Sequence, residues 1–235
     1  MDTWFSYRLS DFILFSERVY WRLFDQVNDL AGAFLTVLIA LGCLLLVGVW
    51  SRHRAVRNAT AMLLGAFWVS SAILFLWFYY TPVNWAARYA VPFFFLEAGL
   101  LILLSFTGQL SRSLHKNDVK GWLGFVLLAY AVVIHPFTSL MFGRTLASAE
   151  IVGLAPDATA MATLGVVLVT ATTRALYLLL PIPVLALTLS GLTLHALGTA
   201  EAWVIPVALL VTVAALASPK LPVDTGNTTT AKAED

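Results

Sequence analysis

Seven stretches almost free of charge follow one another along this chain, at residues 30–50, 59–80, 85–110, 121–142, 159–173, 175–197 and 202–217. The hydrocarbon core of a bilayer is about 30 Å thick and takes about 20 helical residues to cross. Inside it every backbone N–H and C=O has to be satisfied within the protein, which restricts ordinary spans to helices and closed barrels. The expectation is an all-α, polytopic transmembrane helix bundle of about seven spans. The fifth stretch is the weakest. It is short, and Arg174 alone separates it from the sixth, so a re-entrant segment or a tight helical hairpin there leaves six or even five spans. Composition agrees with a membrane chain: 11% of residues are charged and mean hydropathy is +0.86, against about 25% charged in soluble domains.

Residues 1–29 are aromatic but carry Asp2, Arg8, Asp11, Glu17, Arg18, Arg22, Asp25 and Asp29, too many charges for a span. From Ser16, a suitable N-cap, Val19, Tyr20, Leu23, Phe24, Val27 and Leu30 fall on one helical face and Arg18, Arg22, Asp25, Gln26 and Asp29 on the other. That is the pattern of an amphipathic helix lying in the membrane interface, or equally of one packed on other protein. The chain divides into this interfacial segment, 1–29, a helix bundle, 30–217, and a tail, 218–235. The tail turns polar after Pro219 and has too little apolar surface to fold, so disorder is expected there. No cationic segment, short apolar run and cleavage site opens the chain, and insertion is expected through the first span.

Orientation follows from the cations. Seven spans gather Arg52, Arg54, Arg57, Arg112, Lys116, Lys120, Arg174, Lys220 and Lys232 on one side, and Arg8, Arg18, Arg22, Arg88 and Arg144 on the other. The positive-inside rule then places the C-terminus in the cytoplasm, and the N-terminal helix and the loop 143–158 outside the inner (plasma) membrane.

Several function classes are excluded on simple grounds. A net charge of +1 with scattered cations offers no nucleic-acid surface. Cys43 is the only cysteine and lies in an apolar run, so there is no disulfide framework and no thiolate metal site. Lys116, Lys120, Lys220 and Lys232 all lie outside the spans, which excludes a rhodopsin-type Schiff base. No nucleophile elbow, metalloprotease helix or phosphate-binding glycine loop is present, and no cofactor is expected.

The residues that remain as candidates for chemistry are Glu97, His135, Arg144, Glu150, Asp157 and His195. Glu97 is the most costly, since it sits about 12 residues, roughly 18 Å, from the outer end of its span. A natural partner for it is His135, which precedes Pro136 and the backbone carbonyl that a proline leaves free. His135 and His195 are both expected toward the outer side with Glu150, Asp157 and Glu201, although their spacing matches no ligand motif and no metal is assigned. Arg144, Glu150 and Asp157 suit a salt-linked cap over the outer mouth, or a binding surface for a charged ligand or partner. Asp157 after Pro156 also reads as the N-cap of the fifth span.

The pattern of Trp4, Tyr7, Ser10, Asp11, Phe12, Phe15, Ser16, Tyr20, Leu23, Phe24 and Asn28, of Pro82-Val83-Asn84-Trp85-Ala86-Ala87, of Gly143-Arg144, and of the run from Ala149 to Asp157 followed by Thr163-Leu164-Gly165 resembles a bacterial family of multi-pass membrane proteins catalogued as a domain of unknown function. The resemblance runs from Trp4 to about Trp203, with Ala158 standing where the pattern has a proline. Members often carry the automatic label of a major-facilitator permease. Such transporters are built from two six-span halves, and this chain supplies at most one.

The leading expectation is a small-molecule transporter or permease-like protein that works as a homo-oligomer or with a membrane partner subunit. The alternative is a non-catalytic membrane subunit or scaffold that docks a partner through its outer loop and N-terminal helix. An enzyme is the least expected, because no catalytic constellation can be named.

Overall fold

The computed structural model describes residues 15–115 and 118–218; the expectations for residues 1–14 and for the tail 219–235 lie outside the described residues. Among the described residues the chain is helical throughout, with no strand longer than an isolated bridge between Val152 and Ala155. Eight helices follow one another: α1 (Glu17–Ala31), α2 (Phe34–Gly48), α3 (Arg54–Tyr80), α4 (Trp85–Phe106), α5 (Val119–Met141), α6 (Pro156–Thr170), α7 (Thr173–Leu197) and α8 (Ala200–Ala217).

Five of them, α3, α4, α5, α7 and α8, are long and apolar enough to cross a membrane, and α1 with α2 makes a sixth if the pair counts as one broken span. The expected stretch 30–50 is therefore not one straight helix. Its start belongs to α1, and the chain turns through 98° before α2, at Gly32 with φ +48°. α6 is apolar but only fifteen residues long.

Ser16 caps α1, its hydroxyl accepting from Val19 N at 3.4 Å. Of the apolar face expected from the helical spacing, Tyr20, Leu23, Phe24 and Val27 are buried, with Trp21 and Asn28 beside them, whereas Val19 and Leu30 at its two ends are exposed, as are Arg18, Arg22, Gln26 and Asp29. That face packs on protein, against the last turns of α3 and the turn Leu146–Ser148. Phe24 stacks on Phe75 at 4.5 Å between ring centroids, and Phe15 and Tyr20 meet Tyr80.

From α2 onward successive helices alternate in direction. At one end of the bundle, Trp50 meets Trp122 and Phe125, Arg54 donates to Phe106 O, Arg112 N to Thr170 O, and Thr172 N to Gln109 O. The opposite end holds α1, the close of α3, α5 and α7, and the loop between α5 and α6. Outward faces of α2, α4, α7 and α8 carry large exposed apolar side chains such as Val47, Leu103, Leu189 and Leu210, a surface suited to lipid rather than water.

α6 is the hub. Every residue from Asp157 to Thr170 is buried. It crosses α5 at a glycine pair: a Cβ built on Gly165 would lie 2.7 Å from Gly124 O, and one on Gly124 would lie 2.9 Å from Gly165 O. Small residues let backbones approach in this way where lipid supplies no hydrophobic drive between helices. Gly165→Val is expected to push α5 from α6 and to cost about 2–4 kcal/mol in thermal unfolding in detergent. Gly99→Ala, where no atom lies within 4 Å of the added carbon, should be neutral or stabilising by less than about 1 kcal/mol in the same measurement.

Candidate functional site

The chain leaves α5, makes a left-handed turn at Gly143 (φ +78°), and then goes down into the bundle instead of over it. Residues 148–155 are all buried. A Cβ on Gly153 (φ +93°) would lie 2.6 Å from the Phe67 ring, and Phe67 stands roughly 15–20 Å of helix below the end of α3. Only from that depth does α6 start. Non-helical backbone at such depth is tolerated where protein surrounds it and supplies its hydrogen bonds. Here Asn28 Nδ2 donates to Ala147 O and Ala149 O (2.7 and 2.8 Å), Ser71 Oγ to Leu154 O (2.9 Å), and Gly153 N to Thr159 Oγ1 (2.9 Å), each a side chain completing a loop peptide.

Asp157 does not cap α6, as its sequence position suggested. Ala155 takes the cap position and Asp157 is the second helical residue, its Oδ1 accepting from its own neighbour Ala158 N at 2.8 Å. Pro156, with no N–H to satisfy, suits the first position, and the carboxylate gains from the N-terminal dipole.

His135 reaches the same place from α5. Residues Tyr130–Ile134 are π-helical, and Pro136, which cannot donate, follows His135 directly. The ring is buried, with Nε2 3.9 Å from Glu150 Oε2 and 4.0 Å from Asp157 Oδ2, and neither ring nitrogen has a hydrogen-bond partner.

Arg144 ties these groups to the rest of this end of the bundle. Its Nε donates to Glu201 Oε1 at 2.7 Å, Nη2 to Glu150 Oε2 at 3.2 Å, and Nη1 to Ser148 O at 2.8 Å; its Cζ lies 3.5 Å over the Trp21 ring. One planar guanidinium thus links α1, the loop and the start of α8, a use for which lysine has neither the fork nor the flat face. Burial, and then the neighbouring Asp157 carboxylate, hold the Glu150 carboxyl well above the usual carboxylate range, with Arg144 opposing them.

Ser190 of α7 stands between this buried cluster, a chamber of ionisable side chains, and a cleft at the protein surface. Its hydroxyl is 3.5 Å from Asp157 Oδ2, and it also lines an open cleft of about 280 Å3 whose walls include Tyr20, Phe75, Tyr80, Asn84, Pro156 and Thr193.

The structure therefore joins four of the six candidates, His135, Arg144, Glu150 and Asp157, with Glu201, which the sequence grouped with them without making it a candidate, and with Ser190 and Trp21, which sequence reasoning did not select. Glu201 carried one signal, an acid opening the last apolar segment just after Gly198. Glu97 stands apart. It is fully buried on the face of α4 that also presents Phe94, Ala98 and Leu101, both of its oxygens lack a hydrogen-bond partner, and it makes no ion pair with His135. His195 is exposed, beside Thr188, Trp203 and Pro206 in a shallow groove between α7 and α8.

Removing the guanidinium leaves buried carboxylates without their cation. Arg144→Ala is expected to cost about 3–5 kcal/mol at neutral pH. Because the Glu150 carboxyl titrates higher in the folded chain than its reference value of 4.5, its protonation favours folding, and this contribution is lost as pH rises through the folded value. The variant should accordingly regain stability as pH is lowered toward 4.5, more steeply than wild type, in thermal melts across a pH series.

A family model described as a family of unknown function (DUF6064) matches residues 17–224, nearly the whole described chain, and the protein belongs to that family. No curated protein and no solved structure matches it.

Proposed function

We propose that this family member is a multi-pass membrane protein that binds a small cationic solute in the His135–Arg144–Glu150–Asp157–Glu201 chamber and passes it across the bilayer, as a permease-type protein. The observation that carries the reading is the convergence of five ionisable groups, from α5, the deep loop, α6 and α8, in one buried chamber whose acids outnumber its fixed cations. Charged groups are costly at membrane depth and are placed there for ion or substrate pathways far more often than for stability. The Tyr20–Tyr80 cleft gives access from one end, and its floor, Ser190, touches Asp157. A helix that begins within the bundle after a stretch of non-helical backbone is also how many transporters build their sites.

In this reading α2 to α8 make seven crossings, α6 being short because protein encloses it. The positive-inside rule turns the chamber outward, since Arg52, Arg54, Arg57, Arg112 and Arg174 belong to the opposite end. In this reading Glu97 takes no part in the path, being packed among apolar side chains away from the chamber.

The test is flux into proteoliposomes across a panel of protons, inorganic cations and organic amines. Wild type should show a saturable flux that Asp157→Asn lowers about tenfold or more and that Glu97→Gln leaves within about twofold. Equal flux through wild type and Asp157→Asn across the panel overturns the proposal.

The alternative of a docking subunit rests on the exposed Arg18, Arg22, Gln26 and Asp29 face of α1. It loses the loop as a binding surface, because Arg144, Glu150 and Asp157 are engaged with one another inside the chain.

A further inference from the structure

The chamber's geometry allows its ligand class to be narrowed, on the reading that it is the working site. One donor atom from each of His135, Glu150 and Asp157 lies within 4.8 Å of the other two, and all three residues are buried. The nearest donor pairs involving the ring are 3.9 and 4.0 Å apart, so a point among the three lies roughly 2.5 Å from each, against about 2.0–2.2 Å for zinc bonds to imidazole and carboxylate. Closing that gap takes movements of a few tenths of an ångström. The imidazole is free to bind, since neither His135 nitrogen has a hydrogen-bond partner, while Glu150 Oε2 accepts from Arg144 Nη2 at 3.2 Å, Asp157 Oδ2 from the Ser190 hydroxyl at 3.5 Å, and the two carboxyls lie against each other.

Charge points the same way. Three carboxyls, those of Glu150, Asp157 and Glu201, gather around the one guanidinium of Arg144. A dication entering there takes the place of the protons that otherwise neutralise a buried acidic cluster. Arg144 does not block the site. It donates to Glu150 Oε2 at 3.2 Å, the oxygen that also faces His135 and keeps a second lone pair for a metal, and it fixes Glu201 beside it, as outer partners of metal ligands do.

We propose that His135, Glu150 and Asp157 bind a divalent metal ion of the zinc or manganese kind, the class that one imidazole and two carboxylates suit. Arg144 orients Glu150, Ser190 orients Asp157, and the Tyr20–Tyr80 cleft is the way in.

The experiment titrates zinc chloride, and separately manganese chloride, into the chelator-stripped, tag-free full chain in detergent, followed by calorimetry and elemental analysis. Roughly one equivalent per chain should bind to wild type and to Glu97→Gln, and Asp157→Asn and His135→Ala should each weaken binding about tenfold or more. Less than about a fifth of an equivalent on wild type, or wild-type affinity in both chamber variants, overturns the proposal. A readout that needs no variant is X-ray absorption of the zinc-loaded wild type. A single imidazole among oxygen ligands supports the site, whereas an all-oxygen shell or several imidazoles overturns it. Flux without metal binding removes this inference and leaves the permease reading; metal binding without flux does the reverse.

Discussion

Non-helical backbone has no ready place inside a membrane-type bundle, and residues 149–155 are such backbone, wholly buried. The rest of that end of the bundle is arranged to meet that demand. Asn28 on α1 accounts for two carbonyls, Ser71 on α3 for one, and Thr159 on α6 for an amide. Three helices are thereby pinned to one loop by groups that would each be costly if left unmade, on the order of 1–3 kcal/mol apiece. α1 is held inward for the same reason, and its apolar face has protein to cover it without recourse to lipid.

With the loop fixed, the charges follow. Glu150 is on the buried segment itself, Asp157 opens α6 two residues after it ends, and Arg144 stands at the turn before it. Glu201 comes from a remote part of the sequence, yet its bond to Arg144 is the shortest of the set at 2.7 Å. The guanidinium's stacking on Trp21 adds a face contact that repels no neighbour and shields the ion pairs from solvent. Salt bridges of this kind are weak evidence for stability and better evidence for a place where charge is wanted.

Much of this could be read from the chain beforehand. Apolar length alone implied an all-helical membrane bundle, and the spacing of Val19 to Leu30 implied the amphipathic helix that Ser16 caps. The loop from Arg144 to Asp157 stood out because charge there interrupts apolar segments. Its depth did not. Hydropathy treats a loop crossing the top of a bundle and one inserted into it alike, since both are short, glycine-bearing and flanked by helices. The partnership assumed for His135 failed for a related reason: two costly residues in neighbouring spans invite pairing, but the direction each side chain takes depends on helix phase. α6 was hard to recognise because a helix enclosed by protein need not match the bilayer in length.

Helix phase is reset locally at two places. Ser71–Tyr80 and Tyr130–Ile134 are wound with i→i+5 bonds, as in Thr81 N to Leu76 O, and each slip of one residue turns everything beyond it by about 100°. Tyr80 and His135 both lie at the far margin of such a slip. The chemistry of this end is thus decoupled from the lattice that packs the other half: removing one residue from the π-turn of α5 would swing the imidazole about the helix axis while leaving the glycine crossing at Gly124 and Gly165 undisturbed.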